Sequence, residues 1–294
     1  MGQLSLDKTY LLAPWVEALV YGVFLTIFCT TITLCLVDSH GLLDTHAKIM
    51  LSISCLMFFI ATWHLAINLL RLFEGYVDHH MTPAAFMGNL KVWDHVLKDT
   101  LYATQENLGA AAAIYRTWVL WGHNWKVILL PSLLLIINIV AGYMVCGLYT
   151  TVNPTQTVFD PTFTNWIRTF YSITVVTNII TTGLMGYRIW KTARILAQDS
   201  VDRRKFLTVI RILVESAALQ LIVEIVLLAL YCSDQNIQYI LLESVPSVVG
   251  ITLNAITLRL KLYTRQQNRS LPTKSWGLTN MTLDDNRLQF RSMT

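Results

Sequence analysis

The sequence has few charged residues. Asp, Glu, Lys and Arg make up 14% of its 294 residues, while 54% of the residues are hydrophobic. Soluble globular proteins carry about 25% charged residues, so this shortage of charge excludes an ordinary soluble domain. The formal net charge is only +4, and basic residues at the inner membrane surface account for it. The composition therefore gives no support for a nucleic-acid partner.

The sequence also lacks any spacing of cysteine and histidine that is typical of a metal or redox site. Its five cysteines all lie in apolar runs, and none is part of a CxxC pair: Cys29, Cys35, Cys55, Cys146 and Cys232. Cysteines in such surroundings behave as small apolar packing residues. We therefore expect no metal centre and no cofactor.

Common catalytic motifs are missing as well. The chain contains no GxSxG, HExxH, GxxxxGK[ST] or GxGxxG phrase, which disfavours serine hydrolases, zincins, P-loop enzymes and dinucleotide enzymes. Binding of retinal, as in a microbial rhodopsin, requires a Schiff-base lysine inside the seventh helix. The last apolar run here has no lysine before Lys261, which excludes retinal binding. These absences favour a protein that is not an enzyme, without deciding the question.

What the sequence does have is long apolar runs. A run of about 20 apolar residues can cross a bilayer as a helix, and the chain has seven such runs: 15–37, 48–73, 97–121, 127–150, 165–190, 206–232 and 238–262. We predict an all-α, multi-pass integral membrane protein that forms a single seven-helix bundle in contact with membrane lipid. The sequence does not distinguish the plasma membrane from an endomembrane.

The basic residues alternate between the two sides of the predicted bundle. One side carries 16 Lys and Arg residues and the other carries 5, with Arg211 inside the sixth run left uncounted. By the positive-inside rule the N-terminus lies outside and the C-terminus in the cytosol. We predict a short extracellular segment at 1–14, a transmembrane domain at 15–262 and a disordered cytosolic tail at 263–294. The sequons at Asn268 and Asn280 fall in that tail, so we expect them to carry no glycan.

Polar residues within the runs fall at a common predicted depth, roughly 5 to 10 residues below the outer surface. They are His64, Asn68, Gln105, Glu106, Glu224 and Glu243. Three of them are carboxylates, and we expect no Lys or Arg at that depth. The functional interpretation is an outward-facing polar cavity that binds a small ligand. The alternative is a set of hydrogen bonds that fix the helix register without binding anything.

The third run combines polar and small residues. Gln105, Glu106 and Asn107 together sweep about 200° of a helix, so at least one of them faces inward. Asp99, Tyr102 and Glu106 follow one another on one face of that helix. Below Glu106 the same face continues with the small residues Gly109, Ala110, Ala113 and Thr117, which allow close packing. We therefore expect the third helix to be central.

A second polar group is predicted on the cytosolic side. It comprises Tyr115, Arg116, Arg211 and Glu215. Glu215 can pair with Arg211 or, across helices, with Arg116. Such a contact is either a latch that opens on activation or a static ion pair. The basic connection 188–205 and the tail are candidate contacts for a cytosolic signalling partner, or simply solvated segments.

Three short phrases of the chain are Ile114-Tyr115-Arg116, Trp121-Gly122 and Leu258-Arg259. In these phrases the chain resembles a seven-helix membrane protein family that is expanded in basidiomycete fungi. Members of that family carry an IYR-x-x-x-x-W-G phrase at the end of the third helix, a basic fifth-to-sixth connection and a short LR or VR phrase closing the seventh helix. The resemblance implies a seven-helix, receptor-like fungal protein.

Three functions follow from these observations. The first is a receptor or sensor that binds a small ligand in the outer cavity. The second is a membrane-embedded enzyme such as a fungal seven-helix terpene cyclase, with Glu106 or Glu224 as a general acid. The third is a transporter, which the absence of a recognisable inverted repeat disfavours.

Overall fold

The computed structural model describes residues 4–38, 45–78, 83–150, 161–196 and 200–270, and within these ranges the chain is helical apart from short turns. The helices are α1 Leu6–Asp38, α2 Thr45–Phe73, a π-helical turn Glu74–Asp78, α3 Pro83–Met87, α4 Trp93–Leu120, α5 Trp125–Tyr149, α6 Pro161–Leu196, α7 Ser200–Cys232 and α8 Gln238–Ser270. The predicted all-α class is thereby confirmed. Each predicted apolar run falls, to within one residue, inside one of the long helices.

Within the described ranges, five segments are long and apolar enough to cross a membrane: Leu6–Leu36, Thr45–Asp78, Trp125–Tyr149, Arg211–Cys232 and Gln238–Arg259. They belong to α1, α2, α5, α7 and α8. Large apolar side chains on these helices point out of the bundle, since Leu19 is 72% exposed and Trp63 is 62% exposed. An outward apolar surface of this kind suits a lipid environment, so the chain is a membrane-embedded protein.

Helices α4 and α8 lie in the interior of the bundle. The apolar window of α8 is 72% buried, whereas the windows of the other four apolar helices are only 22% to 28% buried. In α4 the three neighbours Gln105, Glu106 and Asn107 are all buried. The prediction that at least one of them faces inward is confirmed, because protein surrounds α4 on every side at this level. An interior position also explains why α4 is less apolar than the helices around it.

Small residues let the two interior helices approach closely. A methyl group added at Gly109 of α4 would overlap the side chain of Val249 on α8. Farther along, the hydroxyl of Ser54 on α2 donates to Oδ1 of Asn254 on α8 at 2.6 Å. Close backbone contact and buried side-chain hydrogen bonds are the usual means by which membrane helices associate. The predicted central, tightly packed third helix is confirmed.

A tight turn connects α4 to α5. Gly122 and His123 both adopt a φ of 64°, the left-handed region that glycine enters without steric penalty. The amide of His123 donates back to the carbonyl of Trp118 at 3.0 Å. The Asn124 side chain then accepts a hydrogen bond from the amide of Lys126, which caps the start of α5.

Residues through Arg259 form one compact unit, and residues from Leu260 onward form a second. The helix α8 continues to Ser270, beyond residue 263, where the sequence predicted a disordered tail to begin. The segment Leu260–Ser270 contains no Gly or Pro and is rich in Leu, Lys, Arg and Gln, which are good helix formers. The predicted tail from 271, including Asn280, lies outside the described residues.

Candidate functional site

A cavity opens at the end of the bundle where α1 and α8 begin and α2 ends. Its volume is about 450 Å³, and all seven long helices contribute to its wall. Small-molecule sites in proteins typically have volumes of about 300–1,000 Å³, so the cavity is large enough for a small organic ligand. We refer to it as the outer cavity, because the sequence predicts that this end of the bundle faces outside.

A buried hydrogen-bond network forms one side of the outer cavity and continues behind it. Nδ1 of His64 on α2 lies 2.6 Å from Oε1 of Glu17 on α1. The amide of Asn68 donates to Oε2 of Glu17 at 2.6 Å and to Oε2 of Glu243 at 2.5 Å. Nζ of Lys98 on α4 donates to Oε1 of Glu243 at 2.5 Å. All five residues are buried, so the network joins four helices through polar contacts that are shielded from solvent.

A second buried ion pair, between Arg71 and Asp94, lies beside the outer cavity. Nη1 of Arg71 lies 2.7 Å from Oδ1 of Asp94, and Nη2 of Arg71 donates to the carbonyl of Met87 at 3.0 Å. Arg71 is only 1% exposed. This arginine therefore holds the end of α2, the start of α4 and the short helix α3 together.

The expectation that Lys and Arg are absent at this depth is wrong, because Lys98 and Arg71 are both there. The sequence placed Lys98 at the membrane surface, since the predicted third run begins at residue 97. In the structure α4 begins at Trp93 and α8 at Gln238. Lys98 and Glu243 thus both lie five residues inside their helices, at a level where their side chains meet.

Asp99 faces the outer cavity, and its nearest cation is Lys98, which binds Glu243 more closely. Its carboxylate lies 3.8 Å from Nζ of Lys98 and 3.6 Å from Nε2 of His95, and both distances exceed those of a good hydrogen bond. Both ring nitrogens of His95, which also lines the cavity, are without a hydrogen-bond partner among the described residues. The ring of His95 is therefore without a hydrogen bond in this wall, whereas the carboxylate of Asp99 interacts with Lys98 and with the side chain of Tyr149.

Aromatic rings make up much of the remaining wall. The cavity is lined by six tyrosines and one phenylalanine: Tyr10, Tyr102, Tyr149, Tyr171, Tyr231, Tyr239 and Phe170. Several of these rings contact one another, with centroids 5.2 Å apart for Tyr10 and Tyr239 and 5.6 Å apart for Tyr171 and Tyr231. Such contacts keep the rings in place. The cavity thus combines a rigid aromatic wall with a few charged groups.

The residues that the sequence assigned to one cavity are divided among several places. Asn68 and Glu243 line the outer cavity, and His64 lies behind them. Gln105, Glu106 and Glu224 are absent from the described lining. The amide of Gln105 instead donates to the carbonyl of Pro246 at 2.9 Å, which ties α4 to α8.

Glu106 and Glu224 form a separate, deeper group. Glu224 accepts hydrogen bonds from Asn178 at 2.6 Å and 2.8 Å and from Gln220 at 2.7 Å. Glu106 is only 2% exposed, and neither of its carboxyl oxygens has a hydrogen-bond partner within the described part of the chain. For Glu224 the alternative of hydrogen bonds that fix helix register fits the contacts that the structure shows.

Tyr115 and Arg116 hold the opposite end of α4 to its neighbours. The hydroxyl of Tyr115 lies 2.6 Å from Nδ1 of His46. Arg116 donates to the carbonyl of Leu253 at 2.9 Å and to the hydroxyl of Thr257 at 2.8 Å, both on α8. The arginine therefore connects α4 to α8 and not to α7.

Arg211 and Glu215 lie on the exposed side of α7. Nε of Arg211 donates to Glu215 at 2.7 Å, and Arg259 of α8 donates to the same carboxylate at 3.0 Å. The predicted pairing of Glu215 with Arg211 is confirmed. The alternative pairing with Arg116 is wrong, because the Glu215 side chain is 47% exposed whereas Arg116 points toward α8.

Several residues of the site are not predicted from the sequence, among them Glu17 and Asp99. Glu17 is the one acidic residue in the first predicted apolar run, and an intramembrane acid of this kind marks a functional or buried position, so the sequence does carry a signal for it. The sequence places Asp99 on a helix face but not at the cavity, because the walls of the cavity come from helices far apart in the sequence. Its place beside the tyrosines is a product of the tertiary structure.

Glu17, His64 and Glu243 each offer a candidate metal-ligand atom, and these atoms lie within 4.8 Å of one another. Carboxylate and imidazole are ligands that bind zinc and related ions. Here, however, the same atoms already form hydrogen bonds within the network of Asn68 and Lys98. A metal would have to displace those bonds, so the geometry favours a self-contained polar network.

Comparisons of the chain with protein-family models, with curated proteins and with solved structures find no match. The functional argument therefore rests on the site itself.

Proposed function

We propose that the chain is a seven-helix membrane receptor or sensor that binds a small ligand in the outer cavity. The observation that carries the proposal is the cavity of about 450 Å³, to which all seven long helices contribute. A pocket of this size with an apolar wall and a few convergent polar groups is the usual form of a small-molecule site. The proposal includes membership of the fungal seven-helix family that the sequence resembles.

In this proposal the outer cavity and the N-terminus face outside, and the C-terminus faces the cytosol. The distribution of 16 against 5 basic residues supports this orientation. The proposal also requires α4 and α6 to cross the membrane, although neither is among the five strongly apolar segments. For α4 the reason is its interior position, because a helix surrounded by protein has little need of an apolar surface.

A glycosylation test decides the orientation. The substitution Pro154→Ala converts Asn153-Pro-Thr into an acceptor sequon in the connection that follows α5. We expect a glycosidase-sensitive mass shift for this variant and none for the wild-type protein. A glycan on Asn268 or Asn280 of the wild type would instead place the C-terminus outside.

Helix α8 is the element best placed to transmit binding across the membrane. Glu243 contacts the outer cavity, Leu253 and Thr257 accept hydrogen bonds from Arg116, and Arg259 pairs with Glu215 at the other end. The distance along the helix from residue 243 to residue 259 is about 24 Å. A shift of α8 at the cavity would thereby alter contacts with α4 and α7 near the basic cytosolic face, where a signalling partner would bind.

The binding proposal is tested by ligand capture. Purified protein is incubated with a small-molecule extract, washed and analysed by mass spectrometry. The variant Leu242→Trp fills the cavity, whereas Leu262→Trp places the same residue at an exposed position outside the cavity. We expect compounds to be retained by the wild type and by Leu262→Trp but not by Leu242→Trp. Equal retention by the two variants, or none by the wild type, would refute the proposal.

The enzyme alternative is favoured by one specific observation, the carboxylate of Asp99 beside the aromatic wall. Aromatic faces stabilise cations, and a carboxyl group can act as a general acid on a prenyl substrate. In this alternative Asp99 replaces Glu106 and Glu224, which do not line the cavity. Expression in a heterologous fungus with metabolite profiling separates the two functions. A new product that disappears in Asp99→Asn supports an enzyme, whereas ligand-dependent recruitment of a G protein supports a receptor.

A further inference from the structure

Both permanent cations of the outer cavity are already committed to carboxylates. Arg71 lies 2.7 Å from Asp94, and Lys98 lies 2.5 Å from Glu243. Removing one partner from a buried pair leaves the other charge uncompensated, which is strongly destabilising. An anionic ligand would have to compete for one of these cations, so the wall is poorly suited to bind an anion.

Among the described residues of the cavity wall and its hydrogen-bond network, carboxylates outnumber the permanent cations by four to two. They are Glu17, Asp94, Asp99 and Glu243. Glu17 has His64 as its hydrogen-bond partner, and Asp94 and Glu243 have the two cations. Asp99 is the remaining acid: it lies 3.8 Å from Nζ of Lys98, which already binds Glu243 at 2.5 Å. Its side chain on the cavity wall is 16% exposed, against 7% for Glu243. It is therefore the more accessible and the less compensated of these two carboxylates.

The rest of the wall near Asp99 attracts cations for a different reason. The negative faces of aromatic rings stabilise an ammonium group within about 6 Å of the ring centroid. Tyr102, Tyr149 and Tyr171 line the cavity together with Asp99. The ring of His95 packs against Tyr149 with centroids 5.3 Å apart, which supports the aromatic wall beside Asp99.

From these three observations we infer that the ligand of the outer cavity is a small organic ammonium compound with an apolar body. Its cationic group lies at the carboxylate of Asp99 and its apolar part lies against the tyrosine rings. The inference rests on the proposed function, because it names the chemical class of ligand for the same cavity.

Three probes of nearly equal shape test the inference on the wild-type protein. They are 2-phenylethylamine, which is cationic at neutral pH, the neutral 2-phenylethanol and the anionic 3-phenylpropanoate. Ligand binding raises the melting temperature of a purified protein. We expect the amine to raise it most and the anion least. An equal or larger shift with the neutral or the anionic probe would overturn the inference, as would no shift with the amine.

The variant Asp99→Asn tests the role of the carboxylate, with Asp78→Asn, which changes an exposed acid, as the matched control. Loss of a charge-assisted contact weakens the binding of the amine about 10- to 100-fold. We expect this loss in Asp99→Asn only, with the affinity for 2-phenylethanol unchanged. An unchanged affinity for the amine, or an equal loss for both probes, would refute the role of Asp99. If Asp99→Asn does not fold, the ranking of the three probes on the wild type still decides the inference.

The two proposals can fail separately. If the capture experiment with Leu242→Trp succeeds and the amine does not bind, the cavity binds a ligand of another class and only the cation inference fails. If neither the extract nor the amine gives binding, the cavity is not a ligand site and both proposals fail.

Discussion

Replacement of Lys98 by methionine tests how strongly the network at the outer cavity depends on charge compensation. The side chains of Lys98 and Glu243 are 9% and 7% exposed, and their charged atoms are 2.5 Å apart. Methionine keeps most of the apolar stem of lysine but removes the charge. Breaking a buried ion pair by removing one partner costs about 3–5 kcal/mol. Each kcal/mol lowers the melting temperature of a protein of this size by about 2–4 °C, which gives a fall of about 6–20 °C.

The measurement is the melting temperature of purified protein in detergent, followed by intrinsic fluorescence. The variant Lys91→Met, which changes an exposed lysine, is the control and should lie close to the wild type. The double variant Lys98→Met/Glu243→Gln also removes the charge of Glu243, the closer carboxylate partner of Lys98, so it should be more stable than Lys98→Met alone. This account of the network would be refuted if Lys98→Met were as stable as Lys91→Met. It would also be refuted if the double variant were less stable than both Lys98→Met and Glu243→Gln.

Two further predictions concern packing and the exposed end of α7. Gly109→Ala should destabilise the protein by about 1–3 kcal/mol, because the added methyl group overlaps Val249, whereas Gly183→Ala, which has open space around it, should be neutral or slightly stabilising. A melting curve of the two variants compares them directly, and equal stability would contradict the close approach of α4 and α8. Arg259→Gln removes an exposed contact to Glu215, so its melting temperature should stay near that of the wild type at every salt concentration. A large, salt-dependent fall would show that this contact matters more than its exposure indicates.

The sequence predicted the helices well because helix formation and burial in lipid depend on local composition. Long runs such as 127–150 contain almost only apolar residues, and they appear in the structure as α5 and its neighbours. The inward position of at least one of Gln105, Glu106 and Asn107 also followed from local geometry, since three consecutive residues cover more than half of the circumference of a helix. Local patterns were less reliable at helix ends, where α4 begins at Trp93 and α8 continues past the predicted boundary.

The candidate site was predicted only in part, because side-chain partners depend on how helices are arranged. The sequence identified His64, Asn68 and Glu243 as polar residues at one level, and the structure joins them through hydrogen bonds, with Glu17 as the link between His64 and Asn68. It also grouped Glu106 with them, although Glu106 lies away from the cavity wall. Helical spacing gives the face of a residue on its own helix but not which neighbouring helix that face meets.

The sequence by itself determined an all-helical membrane protein with polar residues concentrated toward one end, because composition and periodicity are properties of each segment alone. Only the tertiary structure decided which charges meet. It paired Lys98 with Glu243, joined Glu17 to His64 and left the carboxylate of Asp99 facing the aromatic wall. The physical reason is that these contacts join different helices or depend on where the helices around them begin and pack. No pattern within a single apolar run specifies the side chain that an approaching helix presents to it.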